Sequence, residues 1–341
     1  MSYTNGLDKP TDYFNTVLYT GNASTGHAIT GVGFQPDWTW IKERSSTSSH
    51  FLNDSVRGAG KNIYSNNTSA EGTNTALFTS FDSDGFTIGN TNQGNESGQT
   101  YVAWNWLAGG TASSNTDGSI TSSVSANTTA GFSIVKYTGT ESNATVGHGL
   151  GAAPNLIIFK NLVRSDGDWI VGGDSIHSSW ENFLYLSGNN AKTDLALFQD
   201  TAPTSSVFYL GSDGNINDSA GGIVAYCFAE KKGYSKFGSY TGNGGNQFIY
   251  TGFKPALVIE KRSSNTSEWD MYDNKRNTFN SVTKVLKPNA SDQEATYSGL
   301  NFLSNGFEAT GSLNDSGQTL IYMAFAEAPF VTSTGIPTTA R

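Results

Sequence analysis

Apolar positions in this chain come in short bursts separated by Gly, Asn, Ser and Thr, and one burst recurs. Gly33–Ser46 reads GFQPDWTWIKERSS, Gly252–Ser264 reads GFKPALVIEKRSS, and Gly151–Asn161 reads, more loosely, GAAPNLIIFKN. In each copy a proline stands six residues before a lysine: Pro36 and Lys42, Pro154 and Lys160, Pro255 and Lys261. The residues between are mostly apolar, often β-branched or aromatic. Proline cannot donate to a sheet ladder but suits the first residue of a strand, and the apolar run behind it reads as a buried strand. The pattern predicts one strand built three times, in a chain of tandem repeats.

The flanking segments follow the same rhythm. Tyr-Thr-Gly occurs at Tyr19, Tyr137 and Tyr240, each time closing an apolar strand with a turn. Asn95-Glu96-Ser97-Gly98-Gln99-Thr100 leads into Tyr101–Trp106, and Asn314-Asp315-Ser316-Gly317-Gln318-Thr319 leads into Leu320–Phe325. From Pro36 to Ser97 is 61 positions and from Pro255 to Ser316 is again 61, whereas Pro154 to Ser219 spans 65. In Tyr101–Trp106 both alternate sets are apolar or aromatic, so neither face can be left wet at low cost. Burying one large aromatic contributes roughly 1.5–3 kcal/mol. Trp106, Phe228 and Phe325 occupy one position in this scheme and are the expected core anchors.

Short strands with turn signals every few residues, and no amphipathic helix, predict an all-β fold: three tandem antiparallel β-sandwich repeats, jelly-roll or lectin-like. The predicted boundaries are an N-terminal arm at 1–12, repeats at 13–110, 131–234 and 235–331, and a tail at 332–341. Residues 111–130, rich in Gly, Ser, Thr and Asn, read as a linker. Repeats two and three meet without a spacer and are expected to pack as a pair.

Composition narrows the function classes. The net charge of −9 with Lys and Arg totalling 20 argues against nucleic acid. The single Cys227 excludes an internal disulfide and a cysteine metal cluster. No apolar stretch is long enough to span a bilayer, and MSYTNGLDKP lacks the basic and apolar regions of a signal peptide, so neither membrane insertion nor secretion is expected.

Candidate chemistry is sparse. Asp54-Ser55-Val56-Arg57 is answered by Asp174-Ser175-Ile176-His177 and by Asp273-Asn274-Lys275-Arg276. Such a pair could grip sugar hydroxyls, Asp accepting and Arg or His donating. The simpler reading is an Asx-turn with the base as a surface partner worth under about 1 kcal/mol. Trp38, Trp40, Trp104, Trp169 and Trp269 fall in predicted strands, which leaves Trp180 as the tryptophan expected to be partly exposed for stacking on a ligand. His27, His50, His148 and His177 lack zinc spacing and read as surface hydrogen-bonding groups. Asp82-Ser83-Asp84-Gly85 and Asp213-Gly214-Asn215 with Asp218 resemble fragments of calcium loops, but ordinary turns explain them equally well. No cofactor is therefore expected, with calcium the one alternative. Neither a catalytic triad nor the paired carboxylates of a glycoside hydrolase stand out.

The blocks Tyr-Thr-Gly-Asn, Gly-Phe-x-Pro-Asp-x-x-Trp-Ile-Lys, Asp-Gly-Phe and Ser-Gly-Gln-Thr-Tyr-x-Ala-Trp resemble those of a repeated β domain in virion proteins of marine bacteriophages. The opening GLDKPTDYFNTVLYTGN and the ending AFAEAPFVTSTGIPTTAR are similar too, so the likeness covers nearly the whole chain. The second repeat departs most, at Gly151–Pro154 and at Ser219-Ala220-Gly221. The resemblance implies a non-enzymatic virion protein with other virion proteins as partners. A tail fibre presenting loops to host-surface glycans, assembled as a homo-oligomer of threefold symmetry, is the leading expectation. A capsid decoration protein or head fibre is the alternative, and a glycan depolymerase the rival from another class.

Overall fold

The computed structural model describes residues 6–338. Residues 1–5 of the expected arm and 339–341 of the expected tail lie outside the described residues. The chain is all-β, and every strand pair runs antiparallel. Helix is confined to single turns such as Asn92–Asn95 and Gly214–Asn217.

One strand order occurs in three sheets. In the first it is Phe14–Thr20, Thr100–Trp106, Trp38–Glu43, Phe51–Asp54; in the second, Phe132–Thr138, Gly222–Phe228, Leu156–Asn161, Trp169–Gly173. In the third it is Ser235–Thr241, Thr319–Pro329, Phe253–Arg262, Trp269–Asp273. The chain's first and last strands of each unit thus lie side by side, and the proline-led strand comes third. Pro36 and Pro154 stand just ahead of their strands, whereas Pro255 lies inside its strand, where the pairing slips at Lys254 and again before Leu257. A bulge is where a sheet can accept a residue with no N–H.

Each of these sheets is covered on both faces. On the strand Thr100–Trp106, Val102, Trp104 and Trp106 enter a central core, while Tyr101 and Ala103 enter a second core under the small sheet of His27–Thr30, Gly85–Ile88 and Ser80–Asp82. The same alternation sends Val224, Tyr226 and Phe228, and Ile321, Met323 and Phe325, inward, with their neighbours packed outward. The central core is common to all three sheets. Phe325 stacks on Phe14 at 5.3 Å and meets Trp106 at 5.4 Å and Phe228 at 5.8 Å, so the third unit's anchor touches the other two. The second unit therefore packs as closely on the first as on the third, not in a pair with the third alone.

The stretch 111–130 is not a linker. Ser113–Asn115 and Ser122–Asn127 form a hairpin that extends the second sheet, with Val124 opposite Val135. Its composition is polar, but Ile120 and Val124 are buried, and the buried Ser125 hydroxyl donates to the Gly110 carbonyl at 2.7 Å. A few apolar side chains on one face suffice for an added edge strand. The described part of the N-terminal arm is tied to its own chain: Leu7 N–H donates to the Lys232 carbonyl, and Asp8 accepts from Ser333 near the other end.

Lys42, Lys160 and Lys261 lie at one position of the three sheets and are all buried, at 0, 0 and 1% exposure. Each ammonium donates to backbone carbonyls. Lys160 reaches Thr68 of the first unit at 2.9 Å, Lys261 reaches Asn189 of the second at 3.3 Å, and Lys42 reaches Glu43 and Ser46 at 2.5 and 3.3 Å. Burial lowers each of the three to about 8. The third unit also carries Glu260 opposite Asp270, where the first pairs Ile41 with Phe51 and the second Phe159 with Ile170. The Tyr240 hydroxyl lies within donating distance of both the Leu313 carbonyl, at 2.6 Å, and Glu260 Oε1, at 2.8 Å. Burial raises Glu260 to about 8.

These shifts set a pH dependence. Above pH 6.5, Glu260 holds a proton that the unfolded chain has lost, so stability falls as pH rises to about 8. From about 8 upward the unfolded chain retains lysine protons that the folded chain has released, so stability rises. The melting temperature is expected to pass through a minimum near pH 8. Scans at pH 6.5, 8 and about 9.5 test this, and Lys160→Met should weaken the alkaline rise.

Candidate functional site

Two of the three Asp-x-x-base pairs are not at the surface. Asp54 and Arg57 are fully buried at the side chain, as are Asp273 and Arg276. Each Asp does form the expected turn, Asp54 Oδ1 accepting from Arg57 N–H at 2.9 Å and Asp273 Oδ1 from Arg276 N–H at 2.8 Å. The guanidinium then donates to the other oxygen at 2.5 Å, and to the Leu52 or Met271 carbonyl. The remaining acceptor capacity is taken by a neighbouring sheet: Tyr226 O–H donates to Asp54 at 2.7 Å and Trp104 Nε1 to Asp273 at 3.1 Å. These ion pairs clamp the second sheet to the first and the first to the third.

At the third such junction the inward position holds Met323, which has no proton to donate. Asp174 is accordingly exposed and bonds to Asn155 and Trp180, while His177 turns to Ser179 at 2.8 Å. Trp180 is not exposed but 1% accessible. Gly172 opposite it leaves room for the indole, since a Cβ there would come within 2.8 Å of the ring. Two histidines expected at the surface are buried as well. His50 accepts from Trp40 Nε1 at 2.9 Å, and His148 lies against the Thr204 carbonyl at 3.1 Å. The calcium-like fragments are turns: Asp84 accepts from Gly31 and Gly33, and Asp213 from Asn215.

A recess of about 410 Å³ lies elsewhere, in the first unit. Three pieces of chain shape it: Ser46–Ser49 after the proline-led strand, Tyr64–Ser69, and the helical turn Asn92–Asn95 with Glu96. Buried Asn95 fixes that turn, accepting from Asn22 N–H at 2.8 Å and donating to the Ser24 carbonyl at 2.9 Å. Asn217 and Asn314 do the same work in the other units. Among the described residues the side chains of Thr47, Asn92, Gln93 and Glu96 make no hydrogen bond within the protein, so their donors and acceptors face the recess unused. Thr47 also borders a second recess of about 250 Å³ on the third unit, where Tyr297 is half-exposed beneath Lys287 at 5.8 Å.

The residue after each buried lysine and the residue after each buried asparagine face one another across this region. In the third unit they are Arg262 and Asp315, paired at 2.5 Å. The second unit has Asn161 donating to Asp218 at 3.1 Å. In the first they are Glu43 and Glu96, which cannot close on one another. Glu43 is 3% exposed with Oε1 unpartnered, and burial raises its pKa, opposed by the Lys42 charge and aided by that of Glu96. Sequence reading missed this pair because Glu43 and Glu96 are far apart in the chain. The signal was present in the aligned motifs, where Glu43 stands against Arg262.

A family model described as a domain of unknown function (DUF7483) matches residues 9–329, so the chain belongs to that family over nearly its whole length. No curated protein and no solved structure matches.

The clamps and the surface pairs should separate in mutagenesis. Arg57→Ala leaves Asp54 buried and unpaired and is expected to cost about 3–5 kcal/mol in urea unfolding. Arg164→Ala, which removes the exposed contact to Asp166, should stay within about 0.5 kcal/mol.

Proposed function

We propose that this member of the DUF7483 family is a non-enzymatic bacteriophage virion protein, a tail-fibre-type adhesin that binds host-surface glycan. The observation that carries the reading is the first-unit recess, with its unused amide, hydroxyl and carboxylate groups beside half-exposed Tyr297. Sugar hydroxyls need such donors and acceptors in numbers, and an aromatic face suits the apolar C–H side of a pyranose. A body whose sheets share one core supports the role mechanically, because it holds the recess rigid. Copies assembled about a threefold axis would multiply a weak site into avidity. The sequence resemblance to virion proteins of marine phages supports placement on the particle.

Two carboxyls in a sugar-sized recess also suit a glycoside hydrolase. The adhesin reading is preferred to the depolymerase on the sequence resemblance to virion proteins.

Purified chain titrated with host envelope polysaccharide should bind it and leave its length unchanged. The double variant Gln93→Ala/Tyr297→Ala should weaken binding at least about tenfold, or ~1.4 kcal/mol. No retention of any host polysaccharide would sink the glycan reading, and shortened chains would sink the non-enzymatic one.

A further inference from the structure

Each unit ties down its loop turn with one tyrosine. Tyr19 donates its hydroxyl to the Gly94 carbonyl at 2.9 Å, Tyr137 to Ile216 at 2.6 Å, and Tyr240 to Leu313 at 2.6 Å. The tyrosine is that of the repeated Tyr-Thr-Gly, and the acceptor is the residue before the buried Asn95, Asn217 or Asn314. Among the described residues Tyr19 and Tyr137 donate to no second acceptor, whereas Tyr240 has one, Glu260 Oε1 at 2.8 Å. A tyrosine carries one hydroxyl proton and cannot serve two acceptors in full.

The second acceptor comes from one change in the sheet. At the position before the buried lysine the first unit has Ile41 opposite Phe51, and the second has Phe159 opposite Ile170. The third unit has Glu260, 1% exposed, opposite Asp270 on one neighbouring strand and Tyr322 on the other. Tyr240 is bonded to it, and Tyr272 lies within its field. Along its own strand, Lys261 has turned to the Asn189 and Arg262 carbonyls, and Arg262 to Ser312 and Asp315. Glu268, Lys287 and these two basic residues act on Asp270, while Arg276 and Tyr297 stand by Tyr272, and Glu230 acts on Tyr322. Among the described residues no basic side chain bonds to Glu260, so its nearest charged neighbour across the sheet is a second carboxylate.

We propose that Tyr240 and Glu260 form a proton-operated latch on the turn Gly311–Asn314. While Glu260 is protonated, its own O–H donates to the Tyr240 oxygen and the tyrosine proton stays on the Leu313 carbonyl. When the Glu260 O–H bond breaks, its proton passes to solvent and the carboxylate becomes the stronger acceptor. The tyrosine proton then turns to Glu260, and Leu313 loses its donor. Asn314 still bonds to Asn243 and Gly245, so the release is local and the unit stays folded. Burial, aided by the Asp270 charge, raises Glu260 to about 8, and Asp270, at about 6, ionises first. The latch is closed below that range and open above it. This turn is the counterpart of Asn92–Asn95, which shapes the first-unit recess, so the third unit carries a loop whose hold depends on pH. Nothing in the latch rests on the glycan reading.

The test is hydrogen exchange of the intact chain, read by mass spectrometry from about pH 6.5 to about pH 9.5 and corrected for the intrinsic rate. The other two units are built-in controls, because Leu313 N–H bonds to Thr310 as Gly94 does to Thr91 and Ile216 to Asp213. Burial lowers Lys42, Lys160 and Lys261 alike to about 8, so any effect of Lys261 is matched in the controls. Segment 310–316 is expected to lose protection relative to 91–97 and 213–219, with a midpoint near pH 8. The loss should be about three- to tenfold, the worth of one hydrogen bond. Glu260→Gln, close in size but unable to ionise, should hold the ratio constant over the range. Glu260→Ile, with the residue type of the first unit, should do the same. Tyr240→Phe should leave the third turn released at every pH. A flat ratio in the parent, or a pH-dependent loss that survives both Glu260 variants, would overturn the latch. Full protection of 310–316 in Tyr240→Phe at about pH 6.5 would overturn it too, by showing that the hydroxyl does not hold the turn.

Discussion

A sheet whose side chains are apolar on both faces must be covered twice, and three such sheets in this protein cover one another. The strands Thr100–Trp106, Gly222–Phe228 and Thr319–Pro329 each direct one set of residues to a common centre and the other to a core of their own. The outer sets are covered by small sheets local to each unit, but the inner sets have only each other. Trp38 shows the consequence, lying 4.3 Å from Tyr226 of the second unit and 4.5 Å from Trp106 of its own. The units therefore fold as parts of one core.

Some polar groups inside that core are matched between units. Trp169 of the second unit donates its ring N–H to the Tyr64 carbonyl of the first, and Trp269 of the third donates to Tyr185 of the second, both at 2.8 Å. The corresponding residue of the first unit is His50, whose ring faces the Lys287 backbone of the third. Trp40 donates to His50 Nδ1, which fixes the proton on Nε2, on the side where a tryptophan would carry it. Burial holds this histidine neutral by lowering its pKa well below the ordinary value. The tryptophan donors of the second and third units are thus satisfied by a neighbouring unit, whereas His50 Nε2 has no hydrogen-bond partner; a buried donor left alone would cost about 1–3 kcal/mol. The matching also tolerates loss at one point: where Met323 replaces the aromatic donor, Asp174 has moved to the surface and its clamp is gone.

Much of this layout could be read from the chain because it rests on period and position. The proline-to-lysine spacing located the third strand of each sheet, and Trp106, Phe228 and Phe325 were identifiable as anchors from alternation alone. The unreadable parts share one physical cause, which is that polarity does not reveal burial. Lys42, Arg57 and Asp54 have the composition of a surface, yet they lie inside because backbone carbonyls and opposite charges of their own unit receive them. Trp180 was assigned to the surface from its polar neighbours, although a glycine on another strand made space for its ring. The hairpin at 113–127 was hidden by its serines, since only Ile120 and Val124 mark its buried face.

The same reasoning bears on why the first unit carries an open recess between its loops. Lys42 and Asn95 are kept in type by Lys160 and Asn217 and by Lys261 and Asn314, because the core and the neighbouring loops depend on them. The residues immediately after them stand at the rim of those loops, with Glu43, Asn161 and Asp218 themselves buried, and their type differs between units. Closing pairs at that rim, Asn161 with Asp218 and Arg262 with Asp315, fill the space between loops with a hydrogen bond or an ion pair. Two glutamates at the same positions cannot form such a pair, and the recess they border measures about 410 Å³, against about 70 Å³ for the cavity around Arg262. A repeated framework thereby separates two demands: residues shared among units hold the fold, and the pair freed from that duty determines whether a unit is closed or open.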